Sequence, residues 1–256
     1  MSRFITSKNR LPLWLKVACC AFVAFHLFIN LRFYGPLNYL WFCDIAMLTG
    51  TLALCIEGRL LLSITVVAVM GPSVVWSVDF LTFLLVGRYP IHMAEYMTDG
   101  TIPAVVRATS LFHIWLPIVL VRMMWRLGYD RRALAIQTVI AIALLVTCRT
   151  FTAPPPAKNV HDVVNINSVY GNSDTEPQTR FPRRLAALSQ HLPIERLHVT
   201  TDTEFPAWLY ICYMVVKFWV FMYLPTHLFA VLIFDRRSKR AEVSVVEPNT
   251  AAALPR

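Results

Sequence analysis

Residues 60–86 read LLLSITVVAVMGPSVVWSVDFLTFLLV, a run of 27 residues whose only charge is Asp79. At ~1.5 Å per helical residue the run is about 40 Å long, more than the ~30 Å hydrocarbon core of a bilayer. Gly71-Pro72 falls mid-run, where proline removes a backbone donor and predicts a kink. A charge-poor stretch of this length is read as a membrane span, and the rest of the chain repeats the pattern.

Five more apolar runs surround it, at about 13–31, 37–56, 104–124, 133–151 and 205–234. The expected fold class is therefore all-α: a polytopic membrane bundle of six transmembrane helices. Glu57-Gly58-Arg59 and residues 127–132 are short connections that force antiparallel neighbours. Residues 1–235 form one transmembrane domain with a long outside loop, 152–204, between helices five and six. That loop opens on Pro154-Pro155-Pro156, and residues 181–192 read as a short amphipathic helix. It is either an ordered cap or a plain surface loop. Residues 236–256 are expected to be a disordered cytoplasmic tail.

Composition agrees. The chain of 256 residues is 57% apolar and 15% charged, against ~25% charged in soluble domains. A net charge of +9 suggests nucleic acid in a soluble protein, but no basic stripe with stacking aromatics is present. The charge instead orients the chain. With the N-terminus inside, thirteen Lys and Arg flank the inner helix ends, and Arg32, Arg88 and Arg107 flank the first two outer connections. The location expected is a cell (inner) membrane, with both termini cytoplasmic. The partners expected are the lipid bilayer and a lipid substrate, with no nucleic acid. All six cysteines lie in apolar runs without metal-ligand spacing. No disulfide framework, metal or cofactor is expected.

Polar groups within spans are costly and usually face the bundle interior. Cys43, Asp44, Asp79 and His113 reach similar depths in the outer half, beneath the long loop. His26 and Asn30 lie near the outer end of the first helix, and Lys217 halfway along the last. Cys43 with His113 as its base has the composition of a thiol acyltransferase or hydrolase site. Asp44 or Asp79 can orient the imidazole, and Lys217, Asn165 or Asn167 can stabilise an oxyanion. Tyr170 belongs to the same loop stretch, 165–171, and joins the candidate substrate-binding set. The alternative is that Asp79 pairs with Lys217, and Asp44 with a helix terminus, as packing.

The Cys43–Leu48 stretch, CDIAML, resembles the Cys-Asp-Ile helix start of the YwaF-like six-helix integral membrane proteins. Phe112-His113-Ile114 is similar to that family's Ser-His-Gly, and 165–170 to its Asn-Tyr-x-Tyr. Residues 205–210, FPAWLY, are similar to its Pro-Trp-Pro-Trp-Tyr. Trp41 stands where the family has a His, and Ile114 where it has a Gly. Helix number and order agree over about 37–233. The resemblance implies a six-helix bundle in which Cys43 and His113 face each other. Through distant acyltransferase relatives it also implies transfer of a fatty acyl group between lipids. The chain is further similar to bacterial polytopic membrane proteins of no assigned function that share Trp-Phe-Cys-Asp, Val-Asp-Phe-Leu and Leu-Gly-Tyr-Asp-Arg-Arg. Three functions remain open at this point: a lipid-directed acyltransferase or hydrolase with an outer-leaflet site, a non-catalytic ion or small-ligand binding or transport protein, and a membrane assembly protein.

Overall fold

The computed structural model describes residues 11–158, 162–170, 187, 190–191 and 206–235. The expected amphipathic helix over 181–192 falls almost wholly outside these residues, as does the tail 236–256. Helices dominate, and among the described residues the only β-pairing is an isolated bridge between Ala153 and Val164.

Helix α1, Leu13–Tyr34, starts after Pro12 and stops at Gly35, whose φ of 76° a side chain would oppose. A 3-10 turn, Pro36–Leu40, leads to α2, Phe42–Ile56. The run expected at 37–56 is thus a turn followed by a helix of 15 residues, about 22 Å long. Helix α3, Arg59–Val86, runs unbroken past Pro72.

The fourth run is two helices, α4 Ala104–Thr109 and α5 Phe112–Leu127. Ser110 and Leu111 join them through tight turns, with His113 N donating to Ser110 O and Ile114 N to Leu111 O. Helix α6 is Ala133–Phe151. The last run is α7, Ala207–Phe218, a π turn at Trp219–Tyr223, α8, Leu224–Ala230, and a second π turn at Val231–Asp235. Pro225 has no N–H to give and its ring opposes the carbonyl of Phe221. The wider first π turn absorbs that conflict without ending the helix.

Five of these paths are long and apolar enough to cross a membrane, and α2 is a shorter apolar helix. The protein is therefore membrane-embedded, with five to six helices that can span. Helix α3 is the central post. Leu62, Val66 and Val67 of α3 pack with Met47 and Leu54 of α2 and with Leu116, Leu120 and Met123 of α5. Gly50 and Gly71 mark close approaches. A Cβ on Gly50 would stand 3.3 Å from Thr65, and one on Gly71 would stand 2.9 Å from the Met222 sulfur.

The end carrying residues 35–41, 87–103, 152–158 and 162–170 is called upper here. At the lower end Glu57 accepts from the Lys16 ammonium at 2.7 Å and from Leu11 N at 3.3 Å. Asp130 takes Arg132 in a two-pronged pair at 3.0 and 2.8 Å, and its N–H donates to Ser63 Oγ at 2.9 Å. Tyr129 and His227 Nδ1 meet at 2.6 Å and tie this corner to α8. The Gly-Tyr-Asp-Arg-Arg stretch is thus the joint that fixes α5, α6, α3 and α8 together.

Candidate functional site

The upper half of the bundle holds a buried polar centre between α1, α2 and α5. Its anchor is His26 Nε2 against Asp44 Oδ1 at 2.8 Å, with the two residues 3% and 4% exposed. Asp44 occupies the first turn of α2, where the free N–H groups and the helix dipole favour an anion. Asn30, one turn above His26, donates to His26 O at 3.1 Å and accepts from Asn38 at 3.0 Å. Tyr39 OH closes the corner by donating to Leu27 O. Asn30 Nδ2 also lies 3.2 Å from His26 Nε2, and with Asp44 ionised the proton shared between Nε2 and Asp44 sits on Nε2. In the neutral ring Nδ1 then keeps its lone pair. Among the described residues that atom is buried without a partner.

His113 is held differently. Its Nδ1–H donates to Ser110 O at 2.8 Å, which the tight turn between α4 and α5 presents to it. That bond fixes the tautomer and makes Nε2 the acceptor. The ring stacks on Trp76, with centroids 4.7 Å apart, and on Phe112 at 4.2 Å. Phe112 also meets His26 edge-on at 5.6 Å, so one aromatic ring touches both imidazoles. Trp76 Nε1 donates to Tyr96 OH at 3.1 Å. Burial pushes the Tyr96 phenol up, and Cys43 and Asp44 lie close enough to add to that. Tyr96 therefore stays protonated.

The other expected site residues fall into separate groups. Cys43 is half-buried beside this centre, and no hydrogen bond joins its thiol to His113 or His26 among the described residues. Asp79 is fully buried, but its oxygens accept from the N–H groups of Ile91, Met93 and Ala94 at 2.7–2.9 Å. It folds the 88–98 segment over the helix ends, and its carboxylate is taken by backbone rather than by Lys217. Lys217 is half-buried on α7.

Asn167 is a helix cap. Its Oδ1 accepts from Phe42 N at 3.0 Å and its Nδ2 donates to Leu40 O at 2.8 Å, so the loop after α6 completes the start of α2. Asn165 Oδ1 accepts from Tyr170 N, and Tyr170 OH donates to Thr152 O at 2.7 Å. Arg149 lies 4.0 Å above the Tyr170 ring. These three residues order the 162–170 segment. They supply no donor to the His26–Asp44 pair.

A cavity of about 70 Å³ lies on another side of α2, lined by Phe42, Ile45, Ala46 and Thr49 with residues of α3 and α6. At ~100° per residue Asp44 points roughly opposite to this face, and Cys43 lies between the two. Among the described residues no group of three or more His, Cys, Asp or Glu is placed to hold a metal ion.

The sequence expectation groups Asp44, Cys43 and His113 at one level; the structure joins Asp44 to His26 and reaches His113 through the shared Phe112 ring, a pairing that the sequence expectation does not make. His26 and Asn30, spaced i and i+4 on an otherwise apolar helix, were the available signal for it. Tyr96, Trp76 and Ser110 carried no signal of their own. Comparison with family models, with curated proteins and with solved structures finds no match for this chain.

Proposed function

We propose that this membrane protein handles protons through the His26–Asp44 pair, as a proton-coupled carrier or proton pathway without covalent chemistry. The observation that carries the reading is the Nδ1, buried and without a partner among the described residues, of an imidazole whose other nitrogen is held by a carboxylate. A proton arriving at Nδ1 makes an imidazolium whose charge Asp44 balances at 2.8 Å. Ionisable residues within spans commonly mark proton or ion routes. On the charge bias of the flanking Lys and Arg, the centre lies towards the outer side of a cell membrane.

The test is proton flux into proteoliposomes that carry a trapped pH dye and an imposed pH gradient. Flux above that of empty vesicles is expected for the wild type and for Cys43→Ala. It is expected to be lost in His26→Gln and Asp44→Asn. Equal flux in the wild type and His26→Gln overturns the reading.

A second reading, acyl transfer or hydrolysis on a lipid at the same depth, is favoured by one feature. His113 presents a fixed Nε2 lone pair in the centre beside which Cys43 lies. In that chemistry Cys43 is the nucleophile and His113 the base, brought within reach by the bound lipid. Transfer of a labelled acyl chain between lipids that vanishes in Cys43→Ala, with wild-type proton flux no greater than that of empty vesicles, supports it over the first.

A further inference from the structure

Helices α1 and α2 touch a second time towards the lower end. There the thiols of Cys20 and Cys55 stand 3.5 Å apart, and both side chains are exposed on the outside of the bundle. Cys19 is next to Cys20 in the chain but turns inward and is 5% exposed. Lys16 Nζ donates to Cys55 O at 3.2 Å and pairs with Glu57, so the two helix segments are clamped in register beside the thiols.

A disulfide needs its sulfurs at about 2.0 Å. Closing the remaining ~1.5 Å is within the reach of side-chain rotation on two helices already held together. Lone cysteines on a lipid-facing surface are ordinary small apolar residues. Two thiols from different helices in van der Waals contact are the starting geometry for oxidation.

We propose that Cys20 and Cys55 form a reversible disulfide that tethers α1 to α2, with a hydroperoxide as the oxidant. One thiol, as its thiolate, attacks the outer peroxide oxygen. The O–O bond breaks, the alcohol leaves with a proton, and the sulfur becomes a sulfenic acid. The second thiol attacks that sulfur, the S–S bond forms, and water leaves with the remaining proton. In sum two thiols and ROOH give one disulfide, ROH and H₂O. The peroxide gains two electrons and the thiols lose them. Because the pair faces hydrocarbon near a bilayer surface, the oxidant is either a lipid hydroperoxide within the membrane or hydrogen peroxide from water.

The full chain in lipid nanodiscs is treated with phospholipid hydroperoxide or with hydrogen peroxide, then denatured and its free thiols counted. The expected count falls from six to four, returns to six with dithiothreitol, and peptide mapping finds Cys20 joined to Cys55. Cys19→Ser is expected to fall from five to three, whereas Cys20→Ser stays at five. The reagent that forms the bridge faster identifies the side from which the oxidant arrives. A bridge between Cys19 and Cys55, a loss of two thiols in Cys20→Ser, or no loss with either reagent overturns the proposal.

Discussion

The His26–Asp44 pair makes a quantitative prediction that does not depend on what the protein transports. Neutral hydrogen bonds between helices in bilayers average about 0.6 kcal/mol, because the separated helices find other partners. A bond to an ionised carboxylate contributes more, about 1.5–3 kcal/mol. Both groups here are almost fully removed from solvent, and the 2.8 Å separation is in the charge-assisted range. Asp44→Asn keeps an acceptor for His26 Nε2–H and loses mainly the charge, so its cost is expected at ~1–1.5 kcal/mol. Asp44→Ala leaves the imidazole N–H without that acceptor and should cost ~3–5 kcal/mol, as when a buried pair loses one member. A double-mutant cycle with His26→Gln should return a coupling of ~1.5–3 kcal/mol. The assay is reversible unfolding in mixed micelles, read by tryptophan fluorescence, with all four proteins at one pH. A coupling below ~0.5 kcal/mol, the ordinary scatter of independent sites, refutes the claim that the two side chains act as a pair.

Three further outcomes follow from the surrounding geometry. Asp79→Asn keeps one oxygen for three N–H donors, so it should lose ~2–4 kcal/mol and raise hydrogen exchange at 91–98, with proton flux retained. Unchanged exchange there contradicts its role as the anchor of that segment. Asn167→Ala removes the acceptor of Phe42 N and the donor to Leu40 O, and a fall of ~1–2 kcal/mol is expected by thermal unfolding. At the lower end the Arg132 fork, and then Arg59, hold the Asp130 carboxyl below the usual carboxylate range. A lowered folded value means that the contribution is complete above the unfolded value of ~3.9 and is lost as pH falls through the folded one. The Tm gap between wild type and Asp130→Asn should therefore be open at neutral pH and close on acidification. A gap that widens on acidification refutes the assignment.

The apolar runs announced the bundle because lipid imposes a length and forbids charge, and both constraints act on each segment separately. What they blurred was local. The run at 37–56 hid the turn that precedes Phe42, and the run at 104–124 hid the break at Ser110, because neither interruption changes hydropathy. Counting residues along helices puts Cys43, Asp44 and His113 at one expected level. Partner choice does not follow from it, because that depends on which faces the helices turn to one another. Asp79 shows the limit clearly. Its depth matched that of the candidate site, yet its carboxylate serves the backbone of its own following loop, 12 to 15 residues on. Asn167 shows the reverse, a loop residue that completes the start of α2 across 125 positions of sequence.

These pairings matter most for α1. Of its 22 residues only Cys19, His26 and Asn30 are buried. In water an apolar helix is held to a protein by burial, but in a bilayer lipid tails are as apolar as the neighbouring helix. The Leu, Val and Phe side chains of α1 therefore give it little reason to stay, and specific contacts must. Among them are Lys16 with Glu57 below, the edge-on contact of Phe22 with Trp115 at 5.0 Å, and, above, Asn30 with Asn38 and His26 with Asp44. Protonating the last changes the charge balance at one of the main points that fix α1 laterally, and bridging Cys20 to Cys55 adds a covalent one. A helix held this way is the element of the fold whose position is easiest to bias with a single proton or a single bond. It also carries the imidazole whose second nitrogen has no partner among the described residues.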